Sequence, residues 1–399
     1  MHVDLLDPAT FAKGHPVAVY RWLQDNDPLH WHEEPDGPGF WVVTRHEDVS
    51  AVGRQSNLYS SEPTVMIPDP DEESIQAMSP EHKMMLMMDP PQHTQFRRII
   101  SKEFTKGPAQ GLRPRVSELS AQIVDQVIHK GECDFVSEIA GELPSYVIAE
   151  LMGIPLDDGR ELYSLTETIH SAPESLPEGA QGAAIMRMFG YAQQVYRDKY
   201  DKPADDLASQ IVHASVDGVK LDEIDFQLFF MLLIDAGGDT TRNLVAGGLH
   251  ELIQQPHALQ ELQDHPSGDL MNSAREEMLR VVSPVIQFRR TARQDIEMHG
   301  KTIRAGDKVV RYFAAANRDP EIFEDPLAFD IQRFPNEQIA FGTGTHVCLG
   351  QHIARVEIDC IFHEVLSRMK NFSLPQAPEW LPSNFISGIR YMPLEYQAR

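Results

Sequence analysis

The sequence predicts a mainly α-helical protein with a smaller β region, and three observations lead there. Apolar residues recur at three- and four-residue spacing through 113–130, 136–153, 157–170, 183–200 and 205–215, and then along one very long helix over 221–253. Between 286 and 313 the period changes to two, in short runs broken at Gly300-Lys301 and Ala305-Gly306-Asp307. Near the C-terminal end, the glycine-rich run Phe341-Gly342-Thr343-Gly344-Thr345-His346-Val347-Cys348-Leu349-Gly350 stands directly before an amphipathic helix that starts at Gln351.

The bulk numbers narrow the class. A chain of 399 residues, 42% hydrophobic and 24% charged, can bury a large core. Acidic residues number 60 and basic ones 35, for a net charge of −25, which argues against nucleic acid or an anionic membrane as partner. Cys133, Cys348 and Cys360 form no disulfide framework and fit a reducing compartment. Met1–Lys13 carries Asp4 and Asp7 and lacks the apolar run of a signal peptide. No stretch reaches the ~18–20 apolar residues of a bilayer span. A cytoplasmic protein without a membrane anchor is expected.

Taken in order, Pro16 to the Asn26-Asp27-Pro28 break reads as a short helix. Leu29–Glu33 and Gly39–Thr44 read as a hairpin, and His46–Gln55 as a second helix. Residues 56–88 are irregular and rich in methionine, with Met66, Met78, Met84, Met85, Met87 and Met88. Flexible thioethers suit an adaptable apolar pocket wall, and they equally suit gaps in a core. Asp89-Pro90-Pro91 opens a helix on which His93 and Arg97 share a face. Such a pair can clamp a buried carboxylate or simply form a solvated basic face. The turn-rich stretch 172–182 is placed to close over a site.

The long helix is apolar nearly all round from Phe226 to Ile234, so it should run through the core. Its middle reads Asp235-Ala236-Gly237-Gly238-Asp239-Thr240-Thr241-Arg242-Asn243. Each glycine costs roughly 1 kcal/mol of helix stability. A close helix crossing would explain Gly237 and Gly238. It does not explain Asp239 beside Thr240, whereas proton delivery does. Glu277 and Arg280, three apart on the next long helix, can pair. In the cysteine loop, sparse side chains let the backbone approach something flat, and the helix start favours a thiolate. A thiolate beside a bare loop suits haem iron, although a lone cysteine is by itself more ordinarily a small buried hydrophobe.

Together, the Phe-Gly-x-Gly-x-His-x-Cys-x-Gly loop, Ala236-Gly237-Gly238-Asp239-Thr240, Glu277-x-x-Arg280 and His93-x-x-x-Arg97 resemble a soluble, bacterial-type cytochrome P-450, over essentially the whole chain. The resemblance implies a single domain over 1–399: a triangular prism with haem b between the long helix and the cysteine-loop helix. Its helix-rich part would span about 89–282 and 351–370, and its β-rich part about 28–45 and 285–313 plus a C-terminal hairpin. Cys348 would be the proximal thiolate ligand, with Phe341 beside the sulfur. His93, Arg97, Arg290 and His346 would hold the haem propionates, and Ala236, Gly237 and Gly350 would line the haem. Asp239 and Thr240 would form the acid–alcohol pair that delivers protons. Glu277 and Arg280, joined by Arg333, would fix the fold around the loop.

The implied activity is O2-dependent hydroxylation of an unactivated C–H bond in a hydrophobic sterol, terpenoid or fatty-acyl molecule. No flavin or nicotinamide module is attached, so a separate ferredoxin and ferredoxin reductase would supply electrons to a monomer. The docking face would include Arg98, Lys102, Lys106 and Arg355. Gly237 to Asn243 and the Asn-Phe-Ile-Ser-Gly-Ile run from Asn384 resemble the branch acting on sterols, branched lipids and terpenoids. Candidate pocket residues are Met66, Met78, Met84, Met88, Ile234, Val285, Ile286 and Ile386. Two positions depart from the family pattern: Gln338, where histidine is common, and Asp235, where an apolar residue would be ordinary. A peroxide-driven peroxygenase and a haem-based sensor stay open as alternatives. The intact Asp239–Thr240 pair weighs against both.

Overall fold

In the computed structural model, which describes residues 4–70, 82–170 and 176–399, the chain begins with α1 (Val17–Asn26) and the hairpin strands β1 (Leu29–His32) and β2 (Phe40–Val43). Next come α2 (His46–Arg54), β3 (Tyr59–Ser60) and α3 (Gln92–Ile100). A helical block follows: α4 (Lys106–Gly111), α5 (Arg113–Val127), α6 (Glu142–Met152), α7 (Leu156–His170), α8 (Ala180–Asp201) and α9 (Leu207–Val212), with the short strand β4 (Glu132–Asp134) between α5 and α6. Met78 and the first part of the turn-rich 172–182 stretch lie outside the described residues.

The helix predicted over 205–215 ends earlier, at Val212, and the chain turns into a hairpin of β5 (Ser215–Val216) and β6 (Val219–Lys220). Asp217 and Gly218 hold positive φ at its tip, 52° and 83°. An Asp-Gly pair favours this turn over helix continuation.

The long helix forms as α10 (Glu223–Gln254), 32 residues without interruption. A capping box starts it: the Asp222 carboxylate accepts from the Asp225 amide at 2.9 Å, and the Asp225 carboxylate accepts from the Asp222 amide at 3.2 Å. Phe226, Phe229 and Phe230 are buried, and Phe229 stacks on Phe96 of α3. α6, α7 and α8 pack on α10. α12 (Asp269–Val282), reached through α11 (Pro256–Asp264), packs on it as well. The glycine pair leaves the helix intact. A Cβ on Gly238 would stand 3.0 Å from the Tyr163 ring of α7, so the close-crossing reading holds there; at Gly237 the nearest atom, on Ile148, would be an ordinary 3.6 Å away.

The β region follows as β7 (Gln287–Ala292), β8 (Ile296–Met298), β9 (Lys301–Ile303) and β10 (Lys308–Tyr312). The main sheet runs β1-β2-β10-β7-β3. β10 is parallel to β2, with Val309 opposite Trp41, and antiparallel to β7, with Val309 opposite Arg290. After the short α13 (Phe313–Ala316), an irregular stretch leads to the cysteine loop and α14 (Gln351–Arg368). The chain closes with β11 (Met369–Ser373), β12 (Glu379–Trp380), β13 (Ile389–Tyr391) and β14 (Pro393–Ala398), the last pairing with both β11 and β4. Among the described residues, no helix is long and apolar enough to cross a membrane.

Candidate active site

The cysteine loop is a closed turn seated on α2. The Cys348 amide donates to the Phe341 carbonyl at 2.8 Å and sets the loop's neck. Gly342 and Gly344 hold φ of 72° and 79°. A Cβ on Gly344 would overlap the Gly53 carbonyl, and Thr343 Oγ1 donates to the Ser50 carbonyl at 3.3 Å. Gly344→Ala thus combines a left-handed backbone with a backbone clash, a strain of about 1–3 kcal/mol before the clash is counted. Its expected result is a protein that folds with a lowered melting temperature and binds haem substoichiometrically, read by the ratio of Soret to protein absorbance.

Cys348 lies half-buried at the foot of α14. Burial is the larger influence and raises its pKa above that of an ordinary thiol. The Gly350 and Gln351 amides and the Arg97 and Arg355 charges pull the other way. The helix start therefore works against burial here: burial raises the thiol's pKa, the two amides and two arginines lower it, and a bound metal cation would favour the ionised sulfur further. The ring of Phe341 lies beneath Arg355, whose guanidinium carbon is 4.6 Å from the ring centroid.

A cluster of cations and imidazoles adjoins the loop. Arg97 of α3 donates to the Val347 carbonyl, next to Cys348, at 2.7 Å. Arg290 of β7 and Arg311 of β10 are 2% and 1% exposed. His93 and His346 lie with ring centroids 3.9 Å apart, and His346 Nε2 meets Ser61 Oγ at 3.0 Å. Burial and the neighbouring arginines push the His93 pKa down to about 4, and burial with Arg290, His93, Arg311 and Arg97 holds His346 lower still. Burial also brings Arg290 down to about 10.

On α10, Ala236 and Thr240 share a face one turn apart, with Ala236 exposed and Thr240 half-buried. Thr240 Oγ1 donates to the Ala236 carbonyl at 3.0 Å, an acceptor one turn back in the helix ladder. Asp239 is buried on the neighbouring side, with Oδ1 3.3 Å from Arg242 Nη2.

Away from the loop, Glu277 and Arg280 form a fully buried two-point pair at 2.7 and 2.8 Å. Arg333 completes it as expected, its Nε 3.1 Å from Glu277 Oε2, and the Asp330 amide and Asn336 side chain add further donors. Gln338 turns toward this region and donates to Glu276 at 2.9 Å.

The family description Cytochrome P450 matches residues 176–397, more than half the chain. The chain belongs to the cytochrome P450 family. The steroid C26-monooxygenase of Mycolicibacterium smegmatis is 33% identical over 98% of this chain and 93% of its own length. The linalool 8-monooxygenase of Pseudomonas putida is 30% identical over 97% of both. A Mycobacterium marinum cytochrome P450 in complex with pseudoionone superposes with a TM-score of 0.91 at 33% identity, over 99% of this chain and 98% of its own. The protein is a P450 monooxygenase, and the P450 cofactor is haem b.

The cation cluster fits that cofactor. Among the described residues no ion pair is formed by Arg97, Arg290 or Arg311, and His93 Nδ1, Arg311 Nε and Arg311 Nη1 are buried without hydrogen-bond partners. Donors left in this state call for anionic acceptors, and haem b carries two propionates. Arg311 was not foreseen from the sequence. Its signal was an arginine inside the apolar strand Lys308-Val309-Val310-Arg311-Tyr312, every residue of which is buried.

The pocket reading needs correction at four positions. Met88, Ile234, Ile286 and Ile386 are 0%, 2%, 0% and 6% exposed and offer no surface to a ligand. Ile286 packs with Leu5, Tyr20 and Phe40 under the main sheet. Val285 and Ile286 are consecutive in extended chain, so their side chains leave on opposite sides and only one can face a pocket. Met66, Met84 and Val285 keep exposed surface. Arg355 is also drawn inward, bound to Glu276 at 2.8 and 2.9 Å.

Proposed function

We propose that this P450 hydroxylates a hydrophobic sterol- or terpenoid-type molecule, with Cys348 as the iron ligand and Asp239 and Thr240 as the proton-delivery pair. The observation that carries the site assignment is the buried set of cations beside Cys348, of which Arg97, Arg290 and Arg311 form no ion pair among the described residues. Bound haem b supplies O2 activation and insertion of oxygen into a C–H bond, with a thiolate ligand favouring O–O cleavage. His93, Arg97, Arg290 and Arg311 would hold its carboxylates, with His346 fixed by Ser61. Ala236, Gly237 and Gly350, with little or no side chain, would leave room for it.

Thr240 keeps a hydroxyl on the exposed face of α10 and, by turning from the Ala236 carbonyl, donates a proton or orders a water. Asp239 renews that proton from outside. Thr240→Ala is expected to lower product formed per O2 consumed by about a hundredfold, the low end for a positioned proton donor. The O2 that no longer appears in product should leave as hydrogen peroxide. Unchanged coupling would remove Thr240 from the mechanism.

The substrate class rests on the named relatives, which act on a steroid and on linalool, and on the half-exposed apolar groups Met84 and Val285. Titration of the ferric protein with sterols, terpenes and fatty acids tests it: a blue shift of the Soret band should appear with the first two and not the third. A ferredoxin is the expected electron donor to a monomer, docking on the exposed, non-ion-paired strip Arg98, Lys102 and Lys106. Arg98→Glu with Lys102→Glu should slow reduction by an acidic ferredoxin about tenfold at low salt and much less at high salt. Equal rates would place docking elsewhere.

A further inference from the structure

Arg311 of β10 is buried to 1% exposure, in a strand whose other residues are buried too, and no ion pair neutralises it among the described residues. Its neighbours bring no negative charge. On the main sheet it stands opposite Val43 of β2 and Phe288 of β7. Its guanidinium carbon lies 5.2 Å from the centroid of the Phe313 ring. A Cβ on Gly53 of α2 would overlap Nη1, so a glycine makes room for the group on that side. The neighbouring charge it feels is that of Arg290, of its own sign. Asp89, the acid whose charge reaches Arg290, is occupied by the Ser60 hydroxyl, the Ser61 amide and Arg293.

The charges beside the loop do not balance. Haem b brings two carboxylates. Arg97, Arg290 and Arg311 bring three positive charges before either imidazole is counted, and a guanidinium keeps its protons throughout the range in which proteins stay folded. One positive charge is left over where burial makes it costly. A surplus cation acts on whatever charge changes near it. Here that is the single electron passed to bound haem from its donor protein, a step in which no bond forms or breaks and Arg311 exchanges no proton. At an effective dielectric constant of about 20, a unit charge roughly 10 Å away biases such an equilibrium by about tenfold.

We propose that Arg311 is a potential-setting residue: its charge, in excess of what two propionates neutralise, weakens the haem-free protein and makes the haem-loaded protein easier to reduce. This rests on the haem reading above and extends it from holding the cofactor to setting its readiness to accept an electron.

The test uses the full-length protein and two variants, Arg311→Met and Arg311→Lys. The first readout is the melting temperature of the haem-free protein. Arg311→Met removes an unpaired buried charge and should raise it by a few degrees. The second is the midpoint potential of the haem-loaded protein, by spectroelectrochemical titration. In Arg311→Met the ratio of ferrous to ferric protein at a fixed potential should fall about tenfold, a midpoint about 59 mV lower for one electron. Arg311→Lys, which keeps a positive charge beside the carboxylates, should stay near wild type. An unmoved midpoint in Arg311→Met would overturn the proposal. So would an equal fall in Arg311→Lys, since shape and not charge would then be at work. A haem-free Arg311→Met that melts below wild type, or does not fold, would overturn it as well, because Arg311 would then be a structural fastening. Loss of the haem-thiolate reading would show separately, as a wild-type carbon monoxide band at the position of histidine-ligated haem, and would leave the haem-free comparison intact.

Discussion

Cys348→Ser abolishes the strongly red-shifted Soret band of the reduced, carbon monoxide-bound protein and, with it, all detectable hydroxylation. The expectation follows from where the sulfur sits. Cys348 is placed by the Phe341 carbonyl behind it and by the Gly350 and Gln351 amides ahead of it, so a serine oxygen would occupy nearly the same point. Serine changes the atom and leaves the loop. A hydroxyl is a far weaker ligand and electron donor than a thiolate, so the loss is chemical. The buried cations beside the loop are untouched, and the variant should still bind haem. The measurements are the carbon monoxide difference spectrum, haem content and product formation on one sample. A red-shifted band surviving in Cys348→Ser would remove Cys348 as ligand.

Glu277→Gln is the second large effect, and it is one of stability. Arg280 is fully buried and donates to Glu277 twice, and to the carbonyls of Asn317, Pro326 and Ala328. Arg333 leans on the same carboxylate. Neutralising Glu277 leaves two guanidiniums without their anion, a loss of about 3–5 kcal/mol. Against a usual total of about 5–15 kcal/mol, that is enough to empty the folded state under mild stress. The urea midpoint should fall by about a fifth or more. Desolvation works against the ionised form of Glu277, but the bonds and charges of Arg280 and Arg333 and the Asp330 amide prevail, and its pKa lies below the ordinary carboxylate value. A carboxyl depressed on folding contributes stability above its unfolded pKa of about 4.3 and loses it as pH falls through the folded value. Wild type should therefore lose stability between about pH 4.5 and lower, and Glu277→Gln should lack that part of the acid limb. A variant with an unchanged midpoint would make the pair dispensable.

How much of this was legible beforehand depended on the kind of signal. Chemistry-bearing motifs read well, because glycines, a cysteine before a helix, and an acid beside a hydroxyl are poor choices for an ordinary core. Arg333 was placed with Glu277 by the family resemblance alone, without a signal in the residues around it. The pocket read poorly. Met88 and Ile234 have the composition of a pocket wall and lie in the core, and apolar composition cannot say which of two apolar surroundings a side chain meets. Arg242 was visible in the sequence, yet nothing local revealed a partner on α7, 75 residues earlier. The β5–β6 hairpin was overlooked although Asp217-Gly218 marks it, since two-residue strands carry too little alternation to outweigh a helical run.

The seat of the cysteine loop on α2 also bears on biosynthesis. Ser50 and Thr343, which bond across that contact, are 293 residues apart, and Arg97 waits 250 residues for Val347. At about 5–20 residues per second, the first of these intervals lasts roughly 15–60 s on the ribosome. Through that time α2 lacks the loop that seats on it, while α3 can already meet α10 through Phe96 and Phe229. The helical block from α5 to α9 can condense meanwhile by short-range contacts, but the haem site is assembled from the two ends of the translation interval and belongs to the slow, non-local class of folding events. Closure of the site around Cys348 must therefore wait until the cysteine loop has been made, well after the helical block from α5 to α9.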